Sequence, residues 1–168
     1  AISSYMSAAP LNPNYKSDEY EFYLNDLKPK IVLVEPNSTN SVVDVAKKLK
    51  IPVCEIKIKK NQPTGFFDLF DKESNFSEPN EDDEALVLHT SGTTSKPKIV
   101  PLTNKNIYSS SLNISKSLSL SENDHCLNIM PLFHIHGLIA IIASSMKSGA
   151  SVCASSGFNA LKFLELAK

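Results

Sequence analysis

The densest run of reactive side chains is Thr90-Ser91-Gly92-Thr93-Thr94-Ser95-Lys96-Pro97-Lys98, which follows the apolar stretch Ala85-Leu86-Val87-Leu88. A glycine-containing turn frees backbone N–H groups to face an anion. The clustered hydroxyls add donors, and an ammonium at the far end neutralises charge that amides alone cannot. A polyphosphate is the anion this set of groups suits. The run is not a Walker A loop, which needs a second glycine immediately before Lys-Ser or Lys-Thr; here Gly92 is alone and Pro97 precedes Lys98. Pro97 removes a donor and fixes φ, so the loop does not run straight into a helix. The β-branched Ile99-Val100 predict a return strand, giving strand, long loop, strand. A plain Ser/Thr-rich surface turn is the bland alternative.

A second candidate cluster is Pro131-Leu132-Phe133-His134-Ile135-His136. His134 and His136 could contact a ligand, act as a metal-binding pair, or be a turn histidine and its neighbour. The metal option lacks support, because no carboxylate or cysteine lies nearby in sequence to complete a shell. His89 and His125 fall at a strand end and a strand start, where packing explains them. Lys57-Ile58-Lys59-Lys60 and the acidic Glu81-Asp82-Asp83-Glu84 read as solvated faces, since consecutive carboxylates without a scaffold rarely converge on a cation.

The elements that must carry these clusters follow from periodicity. Ser17 to Leu27 begins as a helix, with Ser17 as N-cap, acids in the first turn and Tyr20, Tyr23, Leu24 and Leu27 at helical spacing. Ile31 to Val34 is a buried strand, Ser41 to Leu49 a helix and Pro52 to Ile58 a strand, together one βαβ unit. Residues 61–84 break the composition with Pro63, Gly65, Pro79 and the acidic cluster, while Phe66, Phe67, Leu69 and Phe70 suit a short helix. A second alternation follows: strand 85–90, loop, strand 98–102, helix 104–118, strand 125–130, helix 135–147 and strand 150–154. The expected organisation is a βαβ portion of a first α/β subdomain in 1–60, an acidic connector in 61–84, and an α/β segment in 85–168 that holds both candidate clusters. The fold class is α/β, with mostly parallel sheets and helices on both faces. In such sheets ligands bind beyond the carboxyl ends of the strands, where both clusters fall.

Composition narrows the functions available. With 42% hydrophobic and 21% charged residues the 168-residue chain is that of a globular protein with a real core. A formal net charge of -1 gives no general attraction to nucleic acid or anionic membrane, so any anion site is local. The longest apolar run, Leu138 to Ala143, is far shorter than the ~20 residues of a bilayer span. Cys54, Cys126 and Cys153 are odd in number and lie among apolar neighbours, which suits buried thiols in a reducing compartment. A dehydrogenase is excluded by the lack of G-x-G-x-x-G, and a serine hydrolase by the lack of G-x-S-x-G. The start without Met and the stop within a helical period at Phe163 to Lys168 suggest an internal piece of a larger protein.

Thr90 to Lys98 resembles the AMP-binding signature of the adenylate-forming superfamily of acyl-CoA synthetases, adenylation domains and luciferases, departing from it only at Ser95, where most members have Gly. Met130-Pro131-Leu132-Phe133-His134-Ile135-His136-Gly137-Leu138 resembles the next motif of that superfamily at the usual spacing. Ala8 to Tyr15, Glu21 to Asp26, Leu88 to Ser91 and Pro101-Leu102-Thr103 resemble the oxalate-CoA ligase branch of fungi and plants, which often carries Ser in place of that second Gly.

The resemblance implies part of the N-terminal domain of an ATP-dependent acid-CoA ligase. Such an enzyme uses ATP, Mg2+ and coenzyme A to activate a carboxylic acid, here a small dicarboxylate such as oxalate. It implies that Thr90, Ser91, Gly92, Thr93, Thr94 and Lys98 bind ATP, with Lys96 at a variable position. It places His134 as a catalytic and substrate-binding residue beside the acyl pocket, where a protonated ring would favour a dianion. His136 falls where coumarate-type ligases have a substrate-contacting aromatic. Gly157 stands where those ligases often have a CoA-contacting lysine, so no residue is carried over to CoA. No metal ligand, nucleic-acid partner or membrane span is expected, and the location is cytoplasmic or peroxisomal. The alternatives are a coumarate- or fatty-acid-type CoA ligase and a non-catalytic nucleotide-binding fragment. The magnesium-binding acid and the catalytic lysine of such enzymes would lie beyond Lys168, so this segment alone is expected to be inactive.

Overall fold

A computed structural model describes residues 2–58, 61, 67–68, 77–90, 97–155 and 157–167. Packing divides the chain into two units, one of Leu11–Ser77 and one of Ile2–Pro10 together with the chain from Glu78 onward.

In the first unit, helix α1 (Ser17–Leu27) is capped by Lys16, one residue earlier than expected. The Lys16 N–H donates to the Glu19 carboxylate at 2.9 Å, so Ser17 becomes the first helical residue. Strand β1 (Val32–Val34), helix α2 (Val42–Lys48) and strand β2 (Val53–Glu55) form the expected βαβ unit, with Val32 opposite Val53 in a parallel pair. Tyr20 and Leu24 of α1 bury against Val32, Val34, Val42, Val45 and Ala46. Each such side chain contributes about 1.5–3 kcal/mol on burial.

Beyond β2 the chain departs from the expected single strand. Lys57–Ile58 (β3) leaves the β1–β2 pair and forms an antiparallel ladder with Phe67–Asp68 (β4), placing Ile58 opposite Phe67. Phe67 is therefore in a strand, not the short helix its aromatic neighbours suggest; β-propensity and a cross-strand partner outweigh a helical period that few residues support. Phe66, Leu69 and Phe70 lie outside the described residues.

The second unit is built on strand β5 (Glu84–Thr90). Its Ala85, Leu86, Val87 and Leu88 are 1%, 5%, 8% and 5% exposed, so both faces are covered. Both edges near its start are used as well. Val87 donates to the Ala8 carbonyl at 2.9 Å and Ala8 donates to the Ala85 carbonyl at 3.0 Å on one side. Strand β6 (Lys98–Thr103) pairs antiparallel on the other. The acidic residues before β5 stay in this unit at its surface: Glu81 pairs with Lys105 at 3.1 Å, and Glu84 accepts from the Ser7 hydroxyl.

Helix α3 (Asn104–Ser117) starts without a loop, because Thr103 serves both as the last strand residue and as N-cap. Its hydroxyl accepts from the Asn106 N–H at 3.2 Å while the Asn106 side chain accepts from the Thr103 N–H at 3.0 Å. This reciprocal pair satisfies two of the helix's orphan donors. Strand β7 (His125–Asn128) then pairs in parallel with β8 (Ser151–Ala154), in register from His125 opposite Ser151 to Asn128 opposite Ala154. Asp124 fixes the entry to β7: its carboxylate accepts both the N–H and the hydroxyl of Ser121, which hold it below the usual carboxylate range. His125 is exposed and bonds Ser151 on the neighbouring strand, so a polar cross-strand pair stands where packing was expected. Cys153 is exposed on β8, and Cys54 and Cys126 are partly covered. The expected buried thiols are thus absent at Cys153, where Val152 takes the inward-facing position of the alternating strand.

The connection from β7 to β8 is not the single α-helix that the spacing predicts. It is a π-helix, His136–Ala143, followed by a short helix α4 (Ser144–Ser148). The hydroxyl of Ser144 donates to the Ala140 carbonyl. The Ser144 N–H reaches the Ile139 carbonyl, five residues back. That five-residue reach is the wider turn of a π-helix. Ser144 and Ser145 are buried where this connection packs on α3, as are Ser111 and Ser115 of α3 itself. The Ser111 and Ser115 hydroxyls donate to carbonyls of their own helix, at 2.9 and 3.1 Å.

Helix α5 (Ala160–Leu166) is capped by Asn159, whose side chain accepts from the Lys162 N–H at 3.0 Å. Among the described residues no helix is long and apolar enough to cross a membrane. Since Leu24 is 3% exposed at the centre of the first unit's core, Leu24→Ala is expected to lower unfolding free energy by about 2–5 kcal/mol in chemical denaturation.

Candidate functional site

The Ser/Thr-rich loop is the connection of a β-hairpin. The β5–β6 ladder closes with Thr90 opposite Lys98 at the loop end. Both residues are exposed, so the neck presents a hydroxyl from one strand and an ammonium from the other. Residues Ser91, Gly92, Thr93 and Thr94, with Ser95 and Lys96, lie outside the described residues. Pro97 precedes the first paired residue and the chain continues as a strand, as its missing donor and the β-branched residues after it require.

The histidine segment is organised by two backbone–backbone bonds and two bonds from backbone N–H groups to side chains. At the carboxyl end of β7, Asn128 is 1% exposed and its side-chain oxygen accepts from the Met130 N–H at 2.9 Å. The Pro131 carbonyl then accepts from the His134 N–H at 3.1 Å, closing the turn before the π-helix. His134 in turn accepts from the Leu138 N–H at 3.2 Å through its carbonyl, and its ring Nδ1 accepts from the His136 N–H at 3.2 Å. An accepting Nδ1 selects the tautomer with the proton on Nε2. The exposed ring then offers its Nε2–H as a donor. His136 is exposed as well.

Gly137 permits this arrangement. A Cβ at that position would lie 2.8 Å from the Pro131 carbonyl oxygen and 3.2 Å from that of Met130. Only a residue without a side chain lets the first turn of the π-helix sit on the Met130-Pro131 backbone. From there the π-helix sends Ile139, 5% exposed, into the cluster with Leu86 and Leu88 of β5, flanked by Leu102, Ile107, Ile114, Leu138 and Ala143. The hairpin strand and the histidine-bearing helix therefore share one core. They do not share one sheet: among the described residues β5 pairs with β6 and β7 with β8, each in a two-stranded sheet. Two members of this framework, Asn128 and Gly137, hold functional geometry without having been singled out for it in the sequence. The available signal was an Asx residue two positions before a backbone donor it can bind.

Lys98 and Thr90 have the donor chemistry for phosphate oxygens, and the His134 Nε2–H suits a carboxylate. Among the described residues no three His, Cys, Asp or Glu side chains converge on a point that could hold a metal ion.

Residues 3–168 match the family described as AMP-binding enzyme, and the chain belongs to that family. It is 40% identical over 156 residues to an oxalate–CoA ligase of Arabidopsis thaliana, covering 90% of this chain and 30% of that protein. It is 35% identical over 177 residues to an oxalate–CoA ligase of Saccharomyces cerevisiae, covering 90% and 33%. ATP-bound MatB from Rhodopseudomonas palustris matches 94% of this chain and 31% of its own at a TM-score of 0.76 and 27% identity. The chain thus spans about one third of the length of the curated relatives it matches. The α/β fold expected from the resemblance is the fold observed.

The steric role of Gly137 separates it from Gly149, which sits at φ +74° with nothing nearer than 3.5 Å to an added Cβ. Gly137→Ala is expected to cost about 1–3 kcal/mol by overpacking against backbone that cannot rotate away. Amide hydrogen exchange should quicken at His134, His136 and Leu138. Gly149→Ala should cost about 1 kcal/mol through its left-handed φ alone and leave those amides unchanged.

Proposed function

We propose that the protein carrying this chain is an ATP-dependent acid-CoA ligase acting on a small dicarboxylate such as oxalate. The observation that carries this reading is the hairpin neck: a hydroxyl-rich loop held between Thr90 and Lys98, on a strand sharing its core with the helix that follows His134. Family membership and two oxalate–CoA ligases among the relatives support the same reaction class.

In this mechanism a carboxylate oxygen of the acid attacks the α-phosphorus of ATP. The bond to the β-phosphate bridging oxygen breaks, giving acyl adenylate and pyrophosphate. The thiol of coenzyme A then attacks the acyl carbon, AMP leaves, and the thiol proton is released. Transfer at phosphorus needs positioning and charge neutralisation more than covalent help from the protein. Thr90, Ser91, Gly92, Thr93 and Thr94 supply N–H and hydroxyl donors to the triphosphate, and Lys98 supplies the positive charge. Magnesium, bound with the nucleotide, would supply further charge neutralisation at the phosphates, alongside Lys98. His134 donates its Nε2–H to a carboxylate oxygen of the acid, and His136 lines the same pocket.

The test is pyrophosphate release by the complete protein offered oxalate, malonate, coumarate and a fatty acid in parallel. Oxalate is expected to be turned over with the highest kcat/KM. Turnover of the fatty acid with oxalate inert refutes the dicarboxylate assignment, and nucleotide binding without pyrophosphate release with any acid refutes the ligase.

Two substitutions probe the residue roles. Lys98→Ala removes a charge-assisted contact of about 1.5–3 kcal/mol, so kcat/KM for ATP should fall about 10–150-fold. His134→Phe keeps the aromatic volume and removes the N–H donor. It should erase the preference for oxalate over the monocarboxylic acids in the same assay.

A further inference from the structure

We propose that Asn128 is a positioning residue that sets the orientation of the His134 ring and thereby the affinity for the acid. The proposal rests on the ligase reading for its consequence and on the structure alone for its mechanism. Burying an amide side chain to 1% exposure at the end of a strand is unfavourable unless its polar atoms are used. Here the use is specific, because Oδ1 accepts from the Met130 N–H at 2.9 Å and turns the chain out of β7.

The base from which that side chain acts is itself fixed. The Asn128 backbone carbonyl accepts both the N–H and the hydroxyl of Ser155, at 3.0 and 3.2 Å, where the chain leaves β8. Asn128 is also the last residue of β7 in register, opposite Ala154.

Beyond Met130 every link to the ring is a short backbone contact. The Met130 and Pro131 carbonyls support Gly137, the Pro131 carbonyl holds the His134 N–H, and the His136 N–H holds Nδ1 of the His134 ring. Releasing Met130 frees the first member of this series. The ring then loses the tautomer and direction that present Nε2–H to a carboxylate. The ATP-binding hairpin is attached elsewhere, through β5 and β6, so affinity for ATP should not follow.

The test compares Asn128→Ala with Asn128→Ser in the complete protein. Both leave nearly the same space, but Ser retains an oxygen that can accept from a backbone N–H two residues ahead. Loss of that one bond should raise KM for the acid about tenfold in the Ala variant relative to Ser, with KM for ATP equal within about twofold. Amide exchange at Met130 and His136 should be faster in Ala than in Ser. Equal KM values for the acid and equal exchange in the two variants overturn the proposal, as does a parallel rise in both KM values, which marks general loosening. If neither variant folds, Asn128→Thr, which keeps a hydroxyl acceptor and refills most of the buried volume without a charge, is expected to restore both folding and KM; failure to do so also overturns it. A wild-type protein inert toward every acid sinks the ligase reading instead, and the exchange contrast between Ala and Ser still decides whether Asn128 positions the ring.

Discussion

Burial of Leu86 and Leu88 against Ile139 is the contact on which the second unit depends. Strand β5 is covered on both faces, so its position is determined by packing from two directions at once. Side chains of this size contribute about 1.5–3 kcal/mol each when removed from water. The functional consequence lies at the two ends of this contact. One end continues along β5 to Thr90 and the hydroxyl-rich loop. The other continues through the π-helix back to His136 and His134. A loop alone cannot hold reacting groups to a fraction of an ångström, and a shared core beneath two loops can.

The π-helix ends on two bonds from one residue. The Ser144 hydroxyl donates to the Ala140 carbonyl, while the Ser144 N–H reaches the Ile139 carbonyl one residue further back. The turn gains a residue, and its start is pressed onto the Met130-Pro131 backbone, where only glycine fits. Buried serines on α3 make a close approach possible on the opposite side, since the Ser111 and Ser115 hydroxyls bond within their own helix. Isoleucine-rich sequence supplies the apolar surface that keeps this wide helix against β5. Geometry of this type is uncommon and concentrates at functional sites, where it re-aims side chains.

Much of this was legible in the chain itself, and the exceptions have physical causes. The apolar run Ala85 to Leu88 announced a strand, Pro97 with Ile99-Val100 announced the return strand, and the β1–α2–β2 unit followed from spacing. Both catalytic-looking clusters were visible because their residue types are unusual at such density. The π-helix was not visible, because its apolar residues fit an α-helical period equally well. The β3–β4 ladder was missed because two-residue strands carry no measurable period, and pairing partners are set by tertiary context. The cap of α1 shifted by one residue because Glu19 bonds the Lys16 N–H, a choice between neighbouring caps that composition does not rank. Division of the strands into separate two-stranded sheets was likewise beyond a reading of alternation alone.

The distribution of charge explains why the framework has to be so exact. On the proposed reading, a chain of net charge -1 offers a triphosphate no long-range attraction, so its binding would depend on donors that are already in place. Neutral donors such as backbone amides, hydroxyls and an Nε2–H are individually weak and directional. Their sum is large only if little orientational entropy remains to be lost when the ligand arrives. Lys98 at the last rung of a ladder, with Thr90 across from it, meets that condition better than a lysine on a free loop. The same requirement would account for the buried Asn128 at the root of the histidine turn: on the proposed reading a ring N–H discriminates by direction, and direction has to be built from the strand upward.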